Sequence, residues 1–233
     1  MSQNYHSEKH RQVAGGWYRA TVFGASDGLV TNASLILGFA GASPGHNIVR
    51  LAGLAGLVAG GFSMASGEYV SMRAQKELLE YEIDVERKSL AASPVEEQEE
   101  LRQLFVGRGI DPELAARLSI DLMRDPEMAL RTHAREELGV DPSATGSPWA
   151  AAISSLVSFA VGAFIPLLPW IVTSKGDPIL WSILLAVLAA GVVGGMIGWF
   201  TRNGIMKWAI RQILVGAFAA AVTFGIGRLV GVH

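Results

Sequence analysis

The sequence contains no cysteine. Disulfide frameworks, thiolate metal sites and cysteine nucleophiles are therefore excluded as a basis for function. The phosphate-binding patterns GxxxxGKS and GxxxxGKT are also missing, which argues against an ATP-driven pump. The HExxH pattern of zinc hydrolases does not occur either. Charged residues make up only 17% of the chain, and they are concentrated in part of it.

Long apolar runs are the most prominent feature of the sequence. Hydrophobic residues make up 50% of the 233 residues, a high and clustered share for a soluble domain. A helix needs roughly 20 apolar residues to cross a bilayer core about 30 Å thick. Five segments have that length, and we predict an all-α membrane protein with five transmembrane helices. They are residues 19–42, 49–72, 149–172, 178–200 and 207–231, each to within a few residues.

A polar segment separates the second and third predicted spans. Residues 75–142 contain 17 acidic and 9 basic residues, a net charge of −8. The second span has no helix breaker after it and is predicted to continue as one long helix. We therefore expect a three-helix, acidic domain inserted between transmembrane helices 2 and 3. The predicted parts are 1–74 (tail and helices 1–2), 75–142 (acidic domain) and 143–233 (helices 3–5).

Three short patterns predict where helices begin in this domain. Ser93-Pro94, Asp111-Pro112 and Asp125-Pro126 each place an N-cap residue before a proline at the first helical position. Glu96 stands three residues after Ser93, so a capping box is expected there. The segment is thus predicted to fold as helices and not to form a loop.

The distribution of Lys and Arg predicts the orientation in the membrane. Sixteen of the 19 basic residues lie in the N-terminal tail, in residues 73–138 and in the loop between spans 4 and 5. Only Arg50, Lys175 and Arg228 lie on the opposite side. Basic residues favour the cytoplasmic side. We therefore expect the N-terminus and the acidic domain in the cytoplasm and the C-terminus outside.

A carboxylate lies within the first predicted span. In a helix, Asp27 shares a face with Thr31 and Ser34, and Asn32, the residue after Thr31, lies beside this face. A charge at mid-span costs about 2.5–3.5 kcal/mol on insertion scales, and such residues usually mark a pathway, a partner or an ion. We predict that Asp27, with Thr31 and Asn32, belongs to a transport pathway. A neutral carboxylic acid bonded to a neighbouring helix is the alternative.

The second span ends with a thioether and a carboxylate four residues apart. Met64 and Glu68 share a helix face. Such a pair suits a borderline-soft divalent cation better than Ca²⁺ or Mg²⁺, which prefer oxygen ligands alone. Both residues are predicted to line the pathway. The alternative is that Met64 only packs and Glu68 lies at the water interface.

The acidic domain has the residue types of a metal site in a helical bundle. Glu97 and Glu100 are three residues apart, Glu86 precedes them, and His133 lies near Glu136 and Glu137 in the third predicted helix. Carboxylates and imidazoles drawn from several helices form carboxylate-bridged metal sites. Acidic runs are also common as solvated helix faces, and spacing alone favours that alternative.

Four stretches resemble the vacuolar iron transporter family, especially its bacterial members, and they occur in the order found there. They are DGLVTNASLILGFAGA, AGGFSMASGEYVSMRAQKE, THAREELGVDP and SPWAAAISSLVSFAVGAFIPLLPW. The resemblance covers nearly the whole chain. It implies a homodimer of five-span subunits, with the ion path between the first spans. It further implies export of Fe²⁺, and often Mn²⁺, from the cytoplasm in exchange for protons.

The resemblance also assigns roles to particular positions. Asp27 matches the family's pore aspartate and Met64 its pore methionine. Four further positions match glutamates that collect metal in the cytoplasmic domain: Glu86, Glu97, Glu100 and Glu137. Three positions depart from some relatives: Gly56 and Ser89 stand where glutamate occurs, and His133 lies near a methionine position.

Taken together, these features predict a transporter and not an enzyme. Its cargo would be Fe²⁺ or Mn²⁺, its partners a second copy, the lipid bilayer and protons, with no permanent cofactor and no nucleic acid. The bacterial-type stretches favour a bacterial inner membrane, or a vacuolar-type membrane in a eukaryote. Three alternatives stay open: a membrane-anchored metal buffer, a ferroxidase-type di-iron enzyme in residues 75–142, and a metal channel without proton exchange.

Overall fold

The computed structural model describes residues 16–42, 45–137, 139, 146–172 and 177–231. These described residues form eight α-helices and no strands. The helices are α1 Gly16–Gly41, α2 His46–Ala92, α3 Pro94–Gly107, α4 Pro112–Met123, α5 Pro126–Glu136, α6 Pro148–Val172, α7 Pro178–Thr201 and α8 Ile205–Val230.

Five of the helices in the described part of the chain are long and apolar enough to cross a bilayer. They are α1 (from Ala20), α2, α6, α7 and α8. The predictions of an all-helical fold in the described residues and of five candidate membrane spans are therefore confirmed. Helix α2 runs unbroken for 47 residues, as expected from the lack of a breaker after the second span.

The chain divides into two compact units. One consists of residues 1–70 and 148–233, and the other of residues 71–147. The first unit thus contains α1, α6, α7, α8 and the first part of α2. The second contains the remainder of α2 with α3, α4 and α5.

Close helix contacts in the first unit depend on glycine. A Cβ atom at Gly28 of α1 would overlap the main-chain carbonyl of Phe159 in α6, and one at Gly227 of α8 would overlap the carbonyl of Gly38 in α1. At Gly194 of α7, a Cβ would come within 2.5 Å of the Trp208 carbonyl oxygen. Small residues allow such backbone approach, which drives helix association where lipid supplies no hydrophobic gain.

A buried apolar cluster joins α1, α2 and α6. It contains Ile36, Val49, Leu167 and Trp170. The Trp170 indole N–H donates to the hydroxyl of Ser182 in α7 at 2.9 Å, and this hydroxyl donates to the Pro166 carbonyl at 2.6 Å. The hydrogen bonds satisfy polar groups that would be costly to leave unpaired in an apolar interior.

The second unit has its own small core and two capped helices. Leu101 and Phe105 of α3 pack with Ala115 of α4. The Asp111 carboxylate accepts hydrogen bonds from two main-chain N–H groups of α4, and Asp125 does the same for α5. The helix starts predicted at these two aspartates are therefore confirmed.

The capping box predicted at Ser93 and Glu96 is wrong. Helix α3 does begin at Pro94, but the Ser93 side chain makes no capping hydrogen bond. The backbone at Ser93, with φ −134° and ψ 56°, departs from the extended conformation that aims an N-cap hydroxyl at the helix. The Ser93 carbonyl instead accepts the N–H groups of Glu96 and Glu97, at 3.0 and 3.1 Å.

Candidate metal-binding site

Four side chains of the second unit converge on one point. Glu86 comes from α2, Glu97 from α3 and His133 from α5, and Glu137 is the residue that directly follows α5. Each offers a ligand atom, and these atoms all lie within 4.8 Å of one another. Two ligand atoms each about 2.1 Å from an ion lie at most about 4.2 Å apart, so a small contraction brings all four onto one ion.

The His133 imidazole lies at the centre of this group. Its Nδ1 atom is 2.8 Å from Glu137 Oε1, 3.1 Å from Glu86 Oε1 and 3.7 Å from Glu97 Oε2. The ring is fully buried. Its Nε2 atom has no hydrogen-bond partner among the described residues. The imidazole therefore presents one nitrogen to the three carboxylates.

The local sequence explains why α5 brings two ligands together. Residues four apart lie on the same helix face, so His133 and Glu137 are adjacent. Ala129, Leu130 and Ala134 are buried on the same helix and hold this face against the rest of the unit. The Asp125 cap determines where α5 begins.

The electrostatics of the group favour a bound cation. Burial raises the pKa of Glu86 above its ordinary value of 4.5, and repulsion by the Glu137 carboxylate raises it further. Burial also raises the pKa of Glu97; His133 partly offsets this, and Glu100 adds to it. Crowded carboxylates resist ionisation together unless a positive charge compensates them. A proton or a metal ion supplies that charge.

Two other predicted ligands lie outside the convergent group. Glu100 is exposed on α3, although its charge raises the pKa values of both Glu86 and Glu97. The Glu136 carboxylate forms an ion pair with Arg108, whose guanidinium also lies 3.5 Å from the Glu136 carbonyl. Glu136 thus pairs with Arg108, the residue directly after α3, and does not join Glu137 in the convergent group.

In the first candidate span, the side chains of Asp27 and Thr31 form a hydrogen bond. The Thr31 hydroxyl donates to the Asp27 carboxylate at 3.0 Å. Asp27 is half-buried and Thr31 is exposed. Phe23, one turn earlier, has 62% of its surface exposed. This face of α1 is therefore not covered by the residues that the structure describes in the single subunit.

Asn32 lies in a different environment from Asp27. It is completely buried, and its amide nitrogen donates to the Ala163 carbonyl of α6 at 2.6 Å. A Cβ added to Gly56 of α2 would come within 2.8 Å of the Asn32 amide oxygen. The amide is thus packed between helices, away from the open face that carries Thr31. Met64 and Glu68 are half-buried, one turn apart on α2.

One polar contact near Asp27 was not anticipated from the sequence. The Gln212 amide of α8 donates to the hydroxyl of Ser26, the residue before Asp27, at 2.5 Å. It joins α8 to α1 within the spanning unit. The sequence did offer a sign of this contact, because Gln212 is an uncharged polar residue within the largely apolar α8. Such residues usually form a hydrogen bond with a neighbouring helix.

Comparisons with known proteins define the class. The sequence profile described as the VIT family matches residues 18–228. A vacuolar iron transporter of Acanthamoeba castellanii is 36% identical over 95% of this chain and 82% of its own length. Vacuolar iron transporter 1 of Arabidopsis thaliana is 28% identical, over 97% of this chain and 91% of its own length.

The chain is therefore a multi-pass membrane protein of the transporter class, and the relatives bear transporter names and no enzyme name. It belongs to the VIT family. The resemblance inferred from the four stretches is confirmed.

Proposed function

We propose that this protein exports divalent metal, Fe²⁺ and also Mn²⁺, from the cytoplasm in exchange for protons. The observation that carries the proposal is the convergence of Glu86, Glu97, His133 and Glu137 in a chain with five candidate spans. The names of the relatives support iron as the cargo. We place the protein in a bacterial inner membrane, or a vacuolar-type membrane in a eukaryote.

The two units would have different roles, one in collecting metal and the other in transporting it. Residues 75–142 would form a cytoplasmic domain between transmembrane helices 2 and 3 that collects metal at the four-residue group. The net charge of −8 would raise the local concentration of cations. Glu100 would contribute to this field, and Glu136, held by Arg108, would contribute less.

Asp27 would act as the ion-binding and proton-exchanging group of the pathway. A carboxylate can hold either a proton or part of a metal's charge, so the two cations would compete for it. Thr31 would orient the carboxylate through its hydrogen bond. Met64 and Glu68 would line the inner part of the path, where a thioether beside a carboxylate accepts borderline-soft ions. Asn32 would contribute by fixing α1 against α6.

The open face of α1 supports a homodimer through the membrane helices. A carboxylate facing lipid costs about 2.5–3.5 kcal/mol on insertion scales. Two copies with their first spans facing each other would cover Asp27 and Thr31 and would enclose a shared polar path. The N-terminus would lie in the cytoplasm and the C-terminus outside, as the basic residues favour.

A flux assay tests the proposal. The purified full chain is reconstituted in vesicles with an internal pH dye, and Fe²⁺, Mn²⁺, Zn²⁺ and Mg²⁺ are supplied in turn. We expect uptake of Fe²⁺ and Mn²⁺ with opposite proton movement, and loss of both signals in Asp27→Asn. Asp121→Asn, an exposed carboxylate on α4, serves as the control and should transport normally.

The results of this assay also distinguish the proposed exchanger from the three alternative functions. Metal flux without proton movement would identify a channel. Metal binding without any flux would identify a membrane-anchored buffer, and oxygen consumption with Fe²⁺ a ferroxidase. Unchanged flux in Asp27→Asn would overturn the assigned pathway.

A further inference from the structure

The four converging ligands differ in chemistry, because one of them is nitrogen. Glu86, Glu97 and Glu137 offer carboxylate oxygens, and His133 offers Nδ1. Mg²⁺ and Ca²⁺ are hard cations that take oxygen ligands. Imidazole suits Zn²⁺, Cu²⁺, Fe²⁺ and Ni²⁺, and affinities among the divalent ions rise from Mn²⁺ towards Cu²⁺. A site with a single nitrogen ligand can therefore bind the second group of ions more tightly than the first.

We propose that His133 is the specificity-determining ligand of this site: its Nδ1 binds the ion and makes the site select first-row transition metals over Mg²⁺ and Ca²⁺. The inference rests on the proposed metal-collecting role of the domain and adds the class of ion that the domain accepts. Cytoplasmic Mg²⁺ would then be rejected at collection, before any ion reaches the spans.

The position of the ring supports direct ligation. The ring is fully buried, and Nδ1 lies 2.8 to 3.7 Å from oxygens supplied by three different segments. Glu86 Oε1 is a buried atom with no hydrogen-bond partner among the described residues, although it lies 3.1 Å from Nδ1. A buried acceptor without a partner is costly, and an ion between the two atoms would satisfy both.

A purely structural hydrogen bond explains less of the arrangement. His133 and Glu137 are four residues apart on one helix, and such a pair forms readily without a metal. It does not account for the approach of Glu86 from α2 and Glu97 from α3. Three carboxylates from three segments lie within 3.7 Å of one imidazole nitrogen, and like charges brought this close repel one another unless a cation lies among them.

The test measures binding to the full chain in detergent. All proteins carry Asp27→Asn, so that the span carboxylate does not contribute. Affinities for Zn²⁺, Mn²⁺ and Mg²⁺ are compared between this reference, His133→Gln and Glu127→Gln. Gln replaces the imidazole with an oxygen ligand of similar reach. Glu127 is an exposed carboxylate in the first turn of the same helix and serves as the matched control.

We expect His133→Gln to weaken Zn²⁺ binding by about tenfold or more, since mutating even the residues that only support a metal ligand weakens affinity by about 10–100-fold. Mn²⁺ binding should weaken less and Mg²⁺ binding should not change. Glu127→Gln should bind all three ions as the reference does. Electron spin-echo modulation of bound Mn²⁺ should show a directly bound imidazole nitrogen in the reference and none in His133→Gln.

A second protein keeps the test decisive if His133→Gln fails to fold. The remaining four histidines are replaced together, by H6Q, H10Q, H46Q and H233Q, and the nitrogen modulation should persist. Loss of the modulation in this protein, or equal Zn²⁺ affinity in His133→Gln and the reference, would overturn the inference alone. If the reference binds no transition ion, the proposed collecting role fails together with it.

Discussion

The hydroxyl of Thr31 donates to the carboxylate of Asp27 at 3.0 Å, on a face of α1 that the other described residues of the subunit leave open. The hydrogen bond restrains the orientation of the carboxylate on this face. A carboxylate held in one orientation can contact a cation without first being reordered. The pair therefore has the chemistry of an ion-binding step as well as the geometry of a local helix contact.

Removal of this hydrogen bond should slow transport without abolishing it. In Thr31→Val the carboxylate remains, but it loses a bond to a charged group that contributes about 1.5–3 kcal/mol. We expect metal flux in vesicles to fall by about tenfold, and less at high external metal concentration. Thr31→Ser keeps the hydroxyl and should transport as the unmodified protein does. Equal flux in Val and Ser variants would contradict this prediction.

The raised pKa values of Glu86 and Glu97 predict how stability depends on pH. In the folded state these groups hold protons at pH values above 4.5, where the unfolded chain has released them. The stability of the metal-free protein should therefore fall as pH rises through the raised pKa values. Metal affinity should change in the opposite direction, because protons and metal compete for the same oxygens.

The double variant Glu86→Gln, Glu97→Gln should remove most of this pH dependence. The amides keep the size of the side chains and remove the two charges. We expect a higher unfolding temperature than the metal-free unmodified protein at pH 7, together with metal binding weakened by at least tenfold, a shift of about 1.4 kcal/mol. Thermal unfolding at several pH values with a chelator present is the measurement. A lower unfolding temperature at pH 7 would contradict the prediction.

The helix caps of the second unit provide a matched pair of variants. The Asp125 carboxylate accepts two N–H groups at the start of α5, so Asp125→Ala should cost about 1 kcal/mol. Because α5 carries His133 and Glu137, metal affinity should also fall. Ser93→Ala should change neither property, since the Ser93 hydroxyl makes no cap bond. Denaturant unfolding and metal titration of both proteins test the contrast.

Two glycines of α8 provide another pair, two residues apart. A Cβ at Gly227 would overlap the carbonyl of Gly38, whereas one at Gly225 meets nothing within 4 Å among the described residues. Gly227→Ala should therefore destabilise the protein by about 1–3 kcal/mol through overpacking. Gly225→Ala should be neutral or slightly stabilising, because alanine favours helix. Unfolding temperatures in detergent compare them, and equal temperatures would refute the packing account.

Several elements could be predicted because they depend on local sequence alone. The five candidate spans follow from the lengths of apolar runs. Helices α4 and α5 begin directly after Asp111 and Asp125, because a carboxylate before proline satisfies free N–H groups locally. The adjacency of His133 and Glu137 follows from helical periodicity. The Ser93 cap failed because its backbone angles, which spacing does not specify, direct the hydroxyl elsewhere.

The composition of the converging group depended on contacts that are distant in sequence. Glu136 and Glu137 are neighbours with the same side chain, but Glu136 pairs with Arg108, the residue directly after α3, whereas Glu137 contacts His133. Glu97 and Glu100 share a helix face by spacing, but only Glu97 reaches the imidazole. Asn32 lies one position from Thr31, yet the Ala163 carbonyl draws it into the interior of the helix bundle.

The amino-acid order alone thus determined the class of molecule, its spans and the kinds of ligand available, since each follows from apolar length, charge and helical period. The tertiary fold alone decided which carboxylates meet the buried imidazole and which face of α1 stays open. Helical spacing limits a side chain to one face of its own helix. The partner of that face is chosen by packing between helices that are far apart in the chain.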